Sequence, residues 1–343
     1  MPRSPRMTPL DLAAALVEAA RRAGAADADA LAVESRDLSV SVRAGALEEA
    51  ESAESVDYGL RVLIGKRQAF VSASDPAPGV IGELAARAVA MASAAPEDPW
   101  CGLPEGGLAD PAAAPALEID DSAPPPAPEV LRAEAERAEA AALGVAGVAQ
   151  VESAGAGWRR SAIAYAASNG FAGAYARTGA SLMVSAIAGE GLGMETDYDA
   201  ASRTHRADLP PPEEIGARAG RRAAERLNPR RAKTGAFPGL FHRRAAGSLV
   251  GHVRGALTGA AGARGASWLK DRMGERVRPA GFDLTDDPFR LRGLGSRPFD
   301  GEGMALAERR LIEDGVLKGW VLDCAAARRL GLAAPGGARR GPG

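Results

Sequence analysis

Two runs of polar–apolar alternation set the tightest limit on what this chain can fold into. Leu38, Val40 and Val42 alternate with Ser39, Ser41 and Arg43, and Val56, Tyr58, Leu60, Val62 and Ile64 alternate with Asp57, Gly59 and Arg61. Side chains of a strand point to opposite faces in turn, so each run has one buried and one wet face. Turn residues at Ala44-Gly45 and Gly65-Lys66 join the runs into an antiparallel meander reaching about residue 74. Helices flank it. Thr8-Pro9-Leu10-Asp11 caps a helix whose stripe is Leu12, Ala13, Leu16, Val17 and Ala20 and which ends at Gly24. Residues 78–94 place Ile81, Leu84, Ala88 and Met91 on one helical face. This pattern has no βαβ rhythm, and an α+β architecture is expected.

The rest of the chain follows the same logic. Residues 1–95 form the expected N-terminal α+β domain, and residues 96–128 a Pro-rich linker or wrapped loop. Residues 129–343 form a second domain rich in antiparallel strands, expected to be incomplete at its C-terminus. Within it, helices are expected over about 128–143, 212–227 and 243–262. Four strand-like segments span 147–156, 161–167, 171–177 and 181–188, with hairpin signals at Ser168-Asn169-Gly170 and Thr178-Gly179. Asp314-Gly315 marks a further hairpin, and residues 325–330 begin a last helix. Residues 334–343 are rich in Gly, Pro and Arg and close nothing. Either this is a loose tail, or the chain stops before its fold does.

At 343 residues the length suits two domains, and with aromatics at only 4% the cores must be built mainly from aliphatic side chains. A net charge of −2 gives no global attraction to nucleic acid or membrane. Cys101 and Cys324 are far apart and form no C-x-x-C pair, which fits a reducing compartment. There is no span-length apolar run, and Asp11 and Glu18 interrupt any signal-peptide core. A cytoplasmic protein is expected, starting at Met1 or, after a disordered lead, at Met7.

Most catalytic signatures are missing. Gly179-Ala180-Ser181 and Gly265-Ala266-Ser267 lack the second glycine of a nucleophile elbow, and Gly189-Glu190-Gly191-Leu192-Gly193 lacks dinucleotide-site spacing. His205, His242 and His252 include no i, i+4 pair, and His242 and His252 are expected on different elements. Glu195, Asp197 and Asp199 share a strand face and could hold a hard cation, although a charged edge strand is the plainer reading. Asp300 and Glu302 could be an acid–base pair, but the flanking Pro298, Gly301 and Gly303 favour a tight turn. Arg218, Arg221, Arg222, Arg226, Arg230, Arg231 and Lys233 form a basic run. Ile215, Ala219 and Leu227 on the opposite face and the lack of interleaved aromatics favour a solvated helix over a nucleic-acid surface.

Several motifs in order resemble the TldD/PmbA family, on its PmbA (TldE) branch. They are Gly59-Leu60-Arg61-Val62, Ser168-Asn169-Gly170, Glu195-Thr196-Asp197-Tyr198, Leu227-Asn228-Pro229-Arg230 and Pro298-Phe299-Asp300-Gly301-Glu302-Gly303. Glu308-Arg309-Arg310-Leu311-Ile312 and Asp314-Gly315-Val316-Leu317 complete the series. TldD-like members bear an H-E-x-x-x-H helix that binds catalytic zinc with a later cysteine. Here Gly251 and Ala256 stand at the two histidine positions and His252 at the glutamate position. The resemblance therefore implies a metal-free, cofactor-free chain with no catalytic residues of its own, inactive alone. It would pair with a zinc-bearing TldD-like paralogue in a heterodimer that cuts unstructured peptides. It implies no nucleic-acid or membrane contact, and the older gyrase-modulator label does not alter that. Family members continue past residue 343, so a truncated chain is expected. Two rivals remain: an independent hydrolase using Asp300 and Glu302 or the 195–199 strand, and a nucleic-acid-associated regulator using residues 218–233.

Overall fold

The computed structural model describes residues 7–113 and 116–343; the lead expected before Met7 lies outside them. The first helix, α1 (Pro9–Arg22), starts where expected. The Thr8 hydroxyl accepts from the Asp11 amide and the Asp11 carboxylate accepts from the Thr8 amide, a reciprocal cap worth about 1 kcal/mol. Then come β1 (Asp27–Arg43), β2 (Ala46–Ile64), β3 (Arg67–Ala73) and α2 (Pro78–Ala94). Ala44 and Gly45 both take positive φ, 53° and 72°, as a two-residue hairpin turn demands.

The described residues of 96–128 wrap the surface. Arg328 donates to the carbonyls of Trp100, Gly102 and Leu103, and the Thr178 hydroxyl accepts from the Asp121 amide. After α3 (Pro128–Leu143) come β4 (Val148–Ala167), β5 (Ala172–Ala188), β6 (Glu195–Arg203) and α4 (Pro212–Glu225). The four short strands expected here are two long ones. Ser168–Gly170 does turn the chain, but Thr178-Gly179 continues inside β5, paired with Arg160 and Arg159 of β4. Thr178 occurs there because its hydroxyl holds the wrapped loop and donates to the Thr204 carbonyl.

All six strands form one antiparallel sheet in the order β3-β2-β1-β4-β5-β6. It crosses the boundary drawn at 96–128, because β1 pairs with β2 on one side and with β4 on the other. Even-numbered β1 residues face the helices. Ala28, Ala30 and Ala32 pack with α1, α2 and Tyr58, Leu60 and Val62, whereas Leu38, Val40 and Val42 pack with α3, α4 and Trp158. The α3–α4 crossing is close enough that a Cβ on Gly216 would lie 1.9 Å from the Ala138 carbonyl oxygen.

A smaller unit follows, with α5 (Arg243–Ala256), α6 (Gly259–Ala263), β7 (Leu284–Asp286), β8 (Arg309–Glu313), β9 (Val316–Leu317) and α7 (Cys324–Leu330). Its core joins Leu257, Leu269, Ile312, Leu317 and Trp320. Residues 334–343 are not loose along their length: Ala338 is buried and Arg340 pairs with Asp29.

Candidate functional site

Gly251, His252 and Ala256, the positions expected to correspond to the H-E-x-x-x-H motif, lie on α5. His242 is its N-cap, with Nδ1 accepting from the Arg244 amide, and His252 sits further along the same helix. The expectation that these two histidines occupy different elements is thus corrected. Ten residues of helix still separate them by about 15 Å, too far to share a metal. His205 lies elsewhere, against the Glu118 carbonyl and Asp121. Gly251 and His252 are exposed and Ala256 is buried against the small core. Glycine and alanine side chains have no lone pair to give, so these three positions do not fit a three-ligand zinc site. Among the described residues no group of three His, Cys, Asp or Glu side chains is gathered as a metal site. Cys324 is buried, and burial followed by Glu302 pushes its thiol far up, keeping it protonated.

The acidic strand and the basic run meet one another. Asp199 is buried on edge strand β6 and accepts from Arg222 at 2.5 Å and Arg218 at 2.7 Å. Asp197 accepts from Arg244 at 2.6 Å, and Arg226 lies 3.5 Å away. Burial alone would raise both carboxyls, but the arginine hydrogen bonds outweigh it and hold both below the usual range. The strand is an ion-pair seam tying α4 and α5 to the sheet.

Asp300 and Glu302 are 2% and 4% exposed, yet their partners are largely backbone and arginine. Asp300 Oδ1 accepts from the Glu302 and Met304 amides, and Oδ2 from those of Gly337 and Ala338, all at 2.8–2.9 Å. This carboxylate knots its own turn to the chain's last segment. Glu302 accepts from the Cys324 amide at 2.8 Å and lies 3.9 Å from Arg61, which is held by buried Asp29. Arg340 binds the other Asp29 oxygen. Spacing alone did not reveal this Asp29–Arg61–Arg340 cluster. Its only signal was two charges at the polar phase of strands whose neighbours, Leu31 and Leu63, are also buried.

Burial, outweighing the Cys324 amide and Arg61, raises the Glu302 carboxyl above its ordinary value. The fold therefore holds this proton more tightly than the unfolded chain does. That stabilisation is full below the unfolded value, roughly 4.3, and is lost as pH rises through the folded value. Glu302→Gln mimics the protonated form. It should melt close to wild type at about pH 4 and above it by about pH 8, in thermal scans across that range. A difference independent of pH would contradict the assignment.

On the helix-free face, the sheet and residues 294–301 and 338–342 enclose a trough of about 560 Å³. Leu31, Val33, Ile163 and Tyr175 contribute its apolar floor.

Comparison with known proteins agrees with this geometry. Three consecutive models of the PmbA/TldA metallopeptidases match: domain 1 at residues 28–92, the central domain at 120–227 and the C-terminal domain at 234–343. Metalloprotease PmbA of Escherichia coli O157:H7 is 31% identical over 299 residues, which are 87% of this chain and 66% of that protein. The PmbA homolog of Haemophilus influenzae is 29% identical over 93% of this chain and 70% of its own length. The chain thus spans about two thirds of these relatives. A Bacteroides thetaiotaomicron protein described as a modulator of DNA gyrase superposes with a TM-score of 0.88 at 21% identity, over 97% of this chain and 77% of that one. TldE of Thermococcus kodakarensis does so at 0.79 and 19%, over 96% and 74%. Matched by the family's three domains in order across most of its length, the chain belongs to the PmbA/TldD metallopeptidase family, on its PmbA (TldE) branch.

Proposed function

We propose that this chain is the non-catalytic subunit of a cytoplasmic, two-chain zinc peptidase acting on unstructured peptides. The partner would be a TldD-like paralogue that carries the zinc. The observation carrying this reading is the donor set on α5, where Gly251, His252 and Ala256 stand at the motif positions. A second feature supports a partner on that side. Phe237, Leu240, Phe241, Leu249 and Val250, in and just before α5, are exposed, and a run of large apolar side chains of this kind marks an interaction surface. No helix among the described residues is long and apolar enough to cross a membrane.

The rival sites offer less. Both Asp300 oxygens are committed to backbone amides, which leaves little for general acid–base work. Arg218, Arg222 and Arg226 in the basic run are paired with carboxylates of β6, which blunts their attraction for phosphate.

The test is an assay on a labelled unstructured peptide, with metal content measured in parallel. The purified chain, chelated and re-purified, should hold no stoichiometric zinc and cut nothing. Adding a paralogue with an intact H-E-x-x-x-H motif should give zinc-dependent cleavage that survives His252→Ala in this chain. Cleavage by the chain alone, or one tightly held zinc lost in His252→Ala, would overturn the proposal.

A further inference from the structure

Among the described residues, the trough on the helix-free face is lined by more arginines than carboxylates. Arg159, Arg177, Arg297, Arg339 and Arg340 line it, against the single carboxylate of Asp300. Two of these arginines already have a carboxylate partner, Arg159 in Asp37 and Arg340 in Asp29, which it shares with Arg61. Asp300 is saturated by four amides. Three guanidinium groups remain. Arg177 donates to the Leu294 carbonyl, a neutral partner. Among the described residues Arg297 donates to the Gly295 carbonyl, at 3.4 Å, and its Nε is buried without a hydrogen-bond partner, with Asp286 and Asp300 acting on its charge from further off. Arg339 is exposed and has no hydrogen-bond or ion-pair partner among the described residues.

A buried guanidinium N–H left unpaired beside another cation costs free energy that an incoming anion would recover. Burial and then the Arg339 charge outweigh Asp286 and Asp300 and make Arg297 less basic than an ordinary arginine. Arginine forks match carboxylates and phosphates through two parallel N–H···O bonds, and the peptide reading above selects the carboxylate. The size of the trough narrows the ligand further. About 560 Å³ with an apolar floor is far more than one small anion fills, and suits a few residues of extended chain.

We propose that this trough is a subsite for an extended peptide bearing carboxylates, with Arg177, Arg297 and Arg339 holding the acid groups above the floor of Leu31, Val33, Ile163 and Tyr175. This deepens the peptide reading above and rests on it only for the class of ligand. No bond is made or broken here; the site selects and aligns.

The test is equilibrium binding to this chain alone, without the paralogue and without hydrolysis, so it reads out whether or not the pair cleaves. Three labelled hexapeptides of matched apolar content are compared by fluorescence polarisation: one with acidic side chains and an amidated end, one neutral with a free C-terminal carboxylate, and one neutral and amidated. At least one carboxylate peptide should bind about tenfold tighter than the neutral amide, and which one does so identifies the source of the acid group. Arg339→Gln lies on the surface and should fold normally. It should remove about tenfold of that preference, with Arg339→Lys keeping part of it. Equal affinity for all three peptides, no binding by any of them to protein with an unchanged melting curve, or a preference untouched by Arg339→Gln would overturn the proposal.

Discussion

Asp300→Asn should lower the melting temperature by about 4 °C or more, the larger of two losses expected from single substitutions in this fold. The side chain keeps its size, so no cavity forms. What changes is that one acceptor oxygen becomes an NH2 group. Whichever way the amide turns, it points donors at two backbone N–H groups, either those of Glu302 and Met304 or those of Gly337 and Ala338. Hydrogen bonds to a charged acceptor contribute about 1.5–3 kcal/mol each, and stranding buried donors costs a similar amount. A loss of roughly 3 kcal/mol or more follows. Thermal unfolding followed by circular dichroism reads it directly, and a shift within about 1 °C would show that the knot contributes little.

The second substitution attacks the other half of the molecule. Gly216→Ala adds one methyl group where α4 crosses α3, and that carbon would sit 1.9 Å from the Ala138 carbonyl oxygen. A backbone atom cannot swing aside, so the helices must part. The small residues packed between them, Ala135, Ala138, Ala142, Ala219 and Ala223, then lose their fit. Overpacking of this kind costs about 1–3 kcal/mol, against the gain of up to about 1 kcal/mol that Gly→Ala otherwise brings in a helix. Gly82→Ala on α2 is the matched control, because its new carbon meets nothing within 4 Å. The pair should diverge, with Gly216→Ala melting below wild type and Gly82→Ala at or above it.

Local chemistry made much of the fold legible from sequence. The Thr8 cap, the Ala44-Gly45 turn, the Pro-initiated helices and the alternation in β1 and β2 each depend on neighbours within a few residues. The long strands β4 and β5 were harder to see, because their interruptions serve distant partners. Gly157 lets β4 pass close to its neighbours: a Cβ there would lie 3.1 Å from Ser181 Oγ. Arg159 and Arg160 reach Asp37 and Asp120. In a sequence read alone, glycine and two arginines look like a strand's end.

The site divides in the same way. The expectation about Gly251, His252 and Ala256 rests on one segment, and the structural character of the Asp300 turn could likewise be read off its neighbours. That Asp300 holds residues 337 and 338, or that Asp29 joins Arg61 to Arg340, depends on pairs far apart in sequence. No spacing rule encodes such pairs.

The central place of β1 has a consequence for synthesis on the ribosome. Its pairing with β2 closes soon after both leave the exit tunnel, but its other edge waits for β4, from 112 residues (Val42 to Ala154) to 138 residues (Asp29 to Ala167) downstream. At about 5–20 residues per second that interval lasts on the order of ten seconds. α3 emerges only near its end and α4 not until after β4, so for most of it Leu38, Val40 and Val42 have neither helix to cover them. The hairpin emerging first is thus a half-finished sheet with one open edge and one bare apolar face. Holding that nascent strand apart from its neighbours on a crowded polysome is a demand set by the order of the strands, independent of how stable the finished protein is.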